Sequence, residues 1–563
     1  MEPKPGEHLQ AGHWALLILA VLLAYAPIVL VNQTFWDEWV LLDLAKAGHL
    51  WELFKQAGRR EHFPLIGPFA NLAMPRAWFV TTLLLSCALA PLLFVIIRQA
   101  TRWSTTEAFW AALLTALIPL DQARFFLSNV PYAFCQVFFA LSLVLLLHDL
   151  RTPSMAKRVL IVVLTLMAYS TNSFLVLAWI APAIIGLHAW RQCQALTRMP
   201  QRIVETLRHV AARGELLVLP MFYWLAKKWI EPTYGDYANY NKFGMGIRAA
   251  FLQTITNIID QLKDSSVLLP ARSDLIELAF AAAIAIIIFC LAARLLSVPL
   301  AADDGQSKSS LAASMFAVFA AFALVICALF PYIIVGQPPR FTGLWETRHQ
   351  TTLIMVSGFT IMAGLRVVLP RRWLWRVAAL ICAAFLVIDI SFSHRLLVDA
   401  LETGELADLL EQNPSPAGTM LLVREDDQEY RALGRFFPFY EISFLVNQGQ
   451  TGIPRLALSN REVMDPATDT YATAPVPAVV DKLISLCKDH RSDPQFGFGG
   501  FVSNGQVEAI SLVATRKPPG LLAALSQAMH LNGTGGKKTD PMVRIEQTSA
   551  PMPISACVSP CCR

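Results

Sequence analysis

The stretch Thr34-Phe35-Trp36-Asp37-Glu38-Trp39 follows the first long apolar run of the chain, Trp14 to Val31, and sets two adjacent carboxylates between two tryptophans. Trp is enriched where lipid meets water, so the run reads as a transmembrane helix and the stretch as its outer end, with the acids just above the lipid. Acids in that place are costly unless they are used. Contact with indole surface raises a carboxylate pKa and a neighbouring Arg or metal lowers it, and either makes a candidate site with a physical reason. The same two acids also suit a solvated loop or a helix cap.

Working outward, composition agrees with the membrane reading. Of 563 residues 55% are apolar and 15% charged, which excludes an ordinary soluble enzyme and indicates a polytopic membrane protein. The net charge of +5 is small for this length, and the basic residues lie in short clusters between apolar runs. That pattern argues for membrane topology and against nucleic-acid binding. Of the ten cysteines, Cys87, Cys135, Cys290, Cys327 and Cys382 fall inside apolar runs and read as small hydrophobes. No Cys or His spacing suits zinc.

The run Trp14–Val31 lacks a small-residue cleavage site before Asn32, so it is expected to be a retained helix rather than a signal peptide. Further helices are predicted at Trp78–Ile97, Ala108–Leu120, Pro131–Leu147, Val159–Ser170, Phe174–Trp190, Glu215–Ile230, Leu275–Leu296, Leu311–Val335, Thr351–Leu369 and Leu374–Ser391. Several, Ala108–Leu120 and Val159–Ser170 above all, are shorter than the ~20 residues a span needs. With the N-terminus cytoplasmic, inner loops hold Arg98, Arg102, Arg151, Lys157, Arg158, Arg191, Arg198, Arg202, Arg208, Arg213, Arg366, Arg371, Arg372 and Arg376. Short outer loops hold only Arg124, Arg340 and Arg348. This asymmetry predicts about eleven spans with the C-terminal segment outside.

The transmembrane domain, residues 1–393, then carries outer loops at 32–76, 231–274 and 336–350. Val40, Leu44, Ala47, Trp51 and Phe54 share a helical face, which predicts one amphipathic helix from Val40 to Ala57 roofing the acidic pair. Tyr234, Tyr237 and Tyr240, with Asp236 and Lys242, suit either a carbohydrate-contacting surface or an aromatic belt. Past Ser391 the apolar runs shorten to strand length (Thr419–Val423, Ala509–Val513), and the helical stretches Ala400–Gln412 and Val479–Cys487 lie between them. Residues 394–530 are therefore expected to form a soluble extracytoplasmic α/β domain, and 531–563 a disordered tail. The fold class is mainly α, a polytopic helix bundle with this α/β domain appended.

Ionisable groups decide between functions. A transporter places them mid-span and is built of repeats. Here no repeat is visible, and Asp37, Glu38, His62, Asp121, Arg124, Lys227, Lys228, Glu346, Arg348 and His349 gather at outer helix ends and in outer loops. Asp121 and Arg124 are spaced to pair locally. The layout suits a reaction at the outer surface on a lipid-carried substrate.

An acidic pair just after the first helix, followed by an interfacial helix, resembles the GT-C class of membrane glycosyltransferases that use polyprenyl-phosphate sugars. The resemblance covers the membrane half, through about Ser391, and rests on architecture plus the motif Asp37-Glu38. It implies transfer of a sugar from a polyprenyl-phosphate donor to a glycan, lipid or protein acceptor, with inversion at the anomeric carbon. Such a transfer needs a base for the acceptor hydroxyl and a positive partner for the leaving phosphate. Asp37 is assigned as base, with Glu38 as its support or, with Asp37, as a ligand for a divalent metal, Mg or Mn. Arg348 and His349 are the first candidates for the donor phosphate, because Arg offers a bidentate fork and both precede a helix N-terminus. Arg340 and Lys242 come second, while His62, Glu346, Tyr237 and Trp345 are candidates for substrate contact. The expected setting is a bacterial inner membrane. Competing readings are an O-antigen ligase or polymerase-like glycan transferase, which places no weight on first-loop acids, and a non-enzymatic lipid-sugar flippase or envelope assembly protein.

Overall fold

The first apolar run folds as α1 (Pro5–Tyr25), which stops where Pro27 withdraws a backbone donor, and the chain tightens into a 3-10 turn over Ala26–Leu30. This computed structural model describes residues 5–35, 37–101, 103–195, 198–237, 275–296, 311–335, 345–413, 419–425, 439–447, 456–459, 506–515, 519–532, 543–547 and 552–553, with isolated positions between 248 and 256. Next come α2 (Glu38–Lys46), α3 (Leu50–Gln56) and α4 (Phe63–Leu72). The single amphipathic helix expected over Val40–Ala57 is thus two. Gly48 parts them at φ +75°, a left-handed conformation that glycine adopts without steric cost.

The bundle continues with α5 (Pro75–Ala100), α6 (Thr105–Leu117), α7 (Val130–Asp149), α8 (Met155–Tyr169), α9 (Ile180–Gln192), α10 (Met199–Ala211), α11 (Gly214–Ile230), α12 (Leu275–Leu296), α13 (Leu311–Ile334), α14 (Thr351–Val368) and α15 (Arg371–Gln412). Each apolar stretch read from the sequence overlaps a helix, but Phe174–Trp190 divides into a 3-10 turn (Asn172–Leu177) and α9, and the helix expected over Ala108–Leu120 stops at Leu117. Among the described residues seven are long and apolar enough to cross a membrane: Ala11–Leu30, Pro75–Ala100, Leu127–Asp149, Asn172–Gln192, Met315–Ile334, Thr347–Val368 and Arg372–Gln412. The chain is a multi-pass helical bundle of membrane type. The remaining apolar stretches are α6, α8 and α11, of 13, 15 and 17 residues, and α12, of 22.

α6 shows how small residues set the packing. Ser104 and Glu107 close a capping box at its start, and every residue from Ala108 to Leu117 is buried. On its alanine face it meets α14 so closely that a Cβ on Gly358 would overlap the Ala111 carbonyl and Thr115. The Thr115 hydroxyl accepts from the Gly358 N–H at 3.1 Å, a bond across helices of the kind that replaces the hydrophobic drive inside a bilayer.

Charges segregate to two ends of the bundle. At one end the Arg191 guanidinium donates to the Ala100 carbonyl (2.7 Å), Arg98 to Thr105 (3.0 Å), Arg366 pairs with Glu107 (3.0 Å), and buried Asp149 takes Arg213. α10 also lies at this end. Its residues were expected in a loop, yet they form a helix with Met199, Ile203, Val204 and Leu207 exposed, held by Arg202 donating to the Trp190 carbonyl at 3.0 Å. The opposite end carries the acids and tyrosines of the candidate site.

α15 runs for 42 residues, so the stretch Leu374–Ser391 and the expected separate helix Ala400–Gln412 are one rod. Beyond it β1 (Met420–Glu425), α16 (Phe439–Asn447) and β2 (Leu456–Ser459) form a crossover with parallel strands. β3 (Gln506–Ala514) pairs parallel with β1, then α17 (Leu521–Asn532) packs on α15. β4 (Val543–Gln547) and β5 (Met552–Pro553) pair antiparallel with β3, so part of the expected disordered tail belongs to the sheet, whose order is β2-β1-β3-β4. Val479–Cys487 lies outside the described residues.

Candidate functional site

The site is built around the start of α2. Asp37 is the half-buried N-cap residue, but its side chain does not cap the helix. Glu38 is fully buried, and its carboxyl joins two segments: Oε2 accepts from the Phe35 N–H at 2.9 Å and Oε1 from the Leu127 N–H. Phe35 in turn packs edge-on against Phe79 and Phe126, with ring centres 6.5 and 6.0 Å away. Burial pushes the Glu38 pKa up to about 8 against the pull of these two N–H groups, with the Glu441 and Asp37 charges adding to the rise.

The segment Asp121–Asn129 is a hub. Four residues before Leu127, the Ala123 N–H donates to the Thr347 hydroxyl at 3.0 Å, which anchors the 3-10 turn Trp345–Gln350 that carries Arg348 and His349. The acidic motif and this cationic turn therefore hang on the same short segment at one end of the bundle. His349 is buried against the Tyr332 ring, 5.6 Å away, and Arg348 is half-buried. Arg124 stands over the Tyr25 ring at 4.6 Å and donates to its hydroxyl rather than serving only Asp121. Burial raises Asp121 to about 7, opposed by Arg124. Asp389 also faces Tyr25 and Arg124. The sequence reading passed over it, although a lone acid within the run Leu374–Ser391 was the available signal.

Beside the motif lies a cavity of about 1010 Å³ between the end of α1, α2 and the start of α5. Thr34 and Trp39, on either side of Asp37 in the chain, are in its wall with Leu42, Met74 and Val80. Its cations among the described residues are Lys46 and Arg76, and the Arg76 Nε is buried with no protein acceptor. Neither was singled out from sequence. Lys46 lies off the apolar face of the helix expected over Val40–Ala57, and Arg76 precedes the next apolar run without any motif. Asp37, Glu38, Arg348 and His349 are not among the lining residues.

A second polar cluster ties the loop after α3 to α11. Glu61 takes the Lys227 ammonium and the Tyr223 hydroxyl (3.2 Å), and Lys227 also donates to the Ser170 carbonyl at 3.3 Å. Burial raises the Glu61 carboxyl, but Lys227 more than offsets this and holds it below the usual range. His62 is fully buried edge-on to Tyr132, and burial, followed by the Arg59 charge, lowers its pKa to about 3. Burial therefore favours its neutral form. Tyr237 is half-buried in the turn Gly235–Tyr237, which is joined to the first loop by the Tyr234 N–H donating to the Gln56 carbonyl at 3.1 Å.

Lys242 and Arg340 lie outside the described residues, and of Trp345 and Glu346 only the backbone falls within them. The expected divalent metal finds no fit: among the described residues no three His, Cys, Asp or Glu side chains converge, and both Glu38 oxygens are occupied by backbone donors. In comparison with known proteins, no family model matches the chain and no curated protein matches it significantly.

Proposed function

We propose that the chain is a membrane glycosyltransferase that moves a sugar from a polyprenyl-phosphate donor to a glycan, lipid or protein acceptor at the acidic end of the bundle. The observation that carries this reading is the cavity against the motif, with an apolar wall for a lipid and two cations for a phosphate, lined by Thr34 and Trp39, between which Asp37 stands in the chain. Asp37 takes the acceptor hydroxyl proton as that oxygen bonds to the anomeric carbon. The bond to the phosphate oxygen breaks, its electron pair leaves with the phosphate, and the configuration inverts. Lys46 and Arg76 neutralise the departing charge, a role first given to Arg348 and His349. Glu38 fixes the backbone on which Asp37 sits, and no step passes through a metal.

In this reading the arginine-rich end is cytoplasmic by the positive-inside rule, and the acidic end and the sheet are outside, in a bacterial inner membrane. The other four apolar helices, α6, α8, α11 and α12, complete about eleven crossings within the bundle.

The test is transfer from a radiolabelled synthetic polyprenyl-phosphate hexose by purified protein. Asp37→Asn is expected to lower transfer by about 100-fold or more, the scale of a lost general base, with donor retention unchanged. Full activity in that variant refutes the base and favours the ligase-like reading. Absence of transfer with every acceptor class leaves the flippase or assembly reading.

A further inference from the structure

At the arginine-rich end, on the far side of the bundle from Asp37, a second cavity of about 430 Å³ lies between α6, α14 and α15. Its size falls within the roughly 300–1,000 Å³ of small-molecule sites. Its wall has two characters. Trp110, Met362, Leu374 and Trp375 make it apolar, while Ser104, Thr106 and Arg372 bring donors.

The electrostatics favour an anion. Glu107, the one acid among the lining residues, is neutralised by Arg366 at 3.0 Å and also serves the Ser104 capping box. What remains is the exposed Arg372 and the first turn of α6, whose N–H groups lack intrahelical acceptors. A further observation points to a ligand. Trp110 is 2% exposed, it forms part of this wall, and its indole N–H has no acceptor in the protein. A buried donor left unmatched costs about 1–3 kcal/mol, so an acceptor oxygen delivered here is stabilised. Arg376 lies over the ring of Trp375, a wall residue, at 5.4 Å, an arginine–tryptophan pairing typical of headgroup depth.

We propose that this cavity is a binding site for the headgroup of an anionic phospholipid, with the phosphodiester oxygens accepting from Trp110 and Arg372 and the chains leaving past the partly exposed Trp375. Basic pockets between transmembrane helices at the cytoplasmic level are where such headgroups lodge. The site does not depend on the sugar-transfer reading.

The experiment is native mass spectrometry of the full chain in detergent, with dioleoylphosphatidylglycerol, dioleoylphosphatidylcholine and soluble glycerol 3-phosphate as probes. Both lipids carry the phosphodiester, so discrimination comes from the choline cation, which Arg372 repels, and phosphatidylglycerol should be retained about tenfold over phosphatidylcholine. Arg372→Ala should remove that preference, and Trp110→Phe, which keeps the ring and deletes the N–H, should weaken retention several-fold. Thermal melting of both variants checks that they fold. Wild-type retention in both variants, or equal retention of the two lipids, overturns the site. Displacement of the lipid by millimolar glycerol 3-phosphate overturns the lipid as ligand and assigns the pocket to a soluble phosphate.

Discussion

Trp39 and Phe444 stack with ring centres 6.1 Å apart and planes within 10°, joining α2 to the helix between the first two strands. Since Trp39 lines the larger cavity, this pair ties the helix between β1 and β2 to the wall of the candidate site. Such a pair is worth about 0.5–1.5 kcal/mol beyond its burial. Phe444→Ala is expected to raise the donor KM several-fold while kcat and melting temperature change little. An unchanged KM shows that the sheet does not hold Trp39 in its working rotamer.

Glu38 makes stability fall as pH rises. Its folded pKa of about 8 exceeds the 4.5 of the free side chain, so the native state holds a proton that the unfolded chain has lost between those values. Its stabilising contribution is complete below about pH 4.5 and gone above about pH 8. His62, at about 3 against 6.5, acts in the opposite sense, with stability present above 6.5 and lost on acidification. Glu38→Gln should lower the melting temperature at pH 6 by leaving one backbone donor unmatched, and it should flatten the decline between pH 6 and 8. A decline of the same slope in the variant rules Glu38 out as its source.

Glu61 and Lys227 tie the first loop to the end of α11. Removing one member of a buried pair costs about 3–5 kcal/mol, reduced here toward 2 because Glu61 remains 28% exposed. Lys227→Met should therefore destabilise more than the double variant Glu61→Gln with Lys227→Met. Additive losses in the double-mutant cycle contradict direct coupling of the two.

Gly358→Ala inserts a methyl group where the Ala111 carbonyl already stands, so α6 and α14 must part. Overpacking of this kind costs about 1–3 kcal/mol or more. A melting temperature within a degree of the parent contradicts the close approach.

Much of the bundle was legible because apolar runs and arginine clusters are strong local signals. The acidic motif, its place after the first helix and the strands near Leu421 and Leu512 were readable in the same way. What escaped depended on tertiary placement. Nothing local says that Glu38 turns inward to Leu127 while Asp37 stays at the edge, since adjacent acids look alike until the hub segment arrives. The break at Gly48 was visible as a residue but outweighed by the surrounding periodicity. Arg76 and Trp110 belong to no motif, and each gained meaning only from the cavity beside it.

α15 has no proline between Arg371 and Gln412, and at 1.5 Å per residue its 42 residues extend about 60 Å, twice the ~30 Å of hydrocarbon. Its first turns border the phospholipid cavity, while its last ones carry the sheet. A stiff shaft of this length turns a small tilt at one leaflet into a displacement of several ångströms at the other, so bilayer thickness and headgroup charge gain mechanical purchase on the distant face.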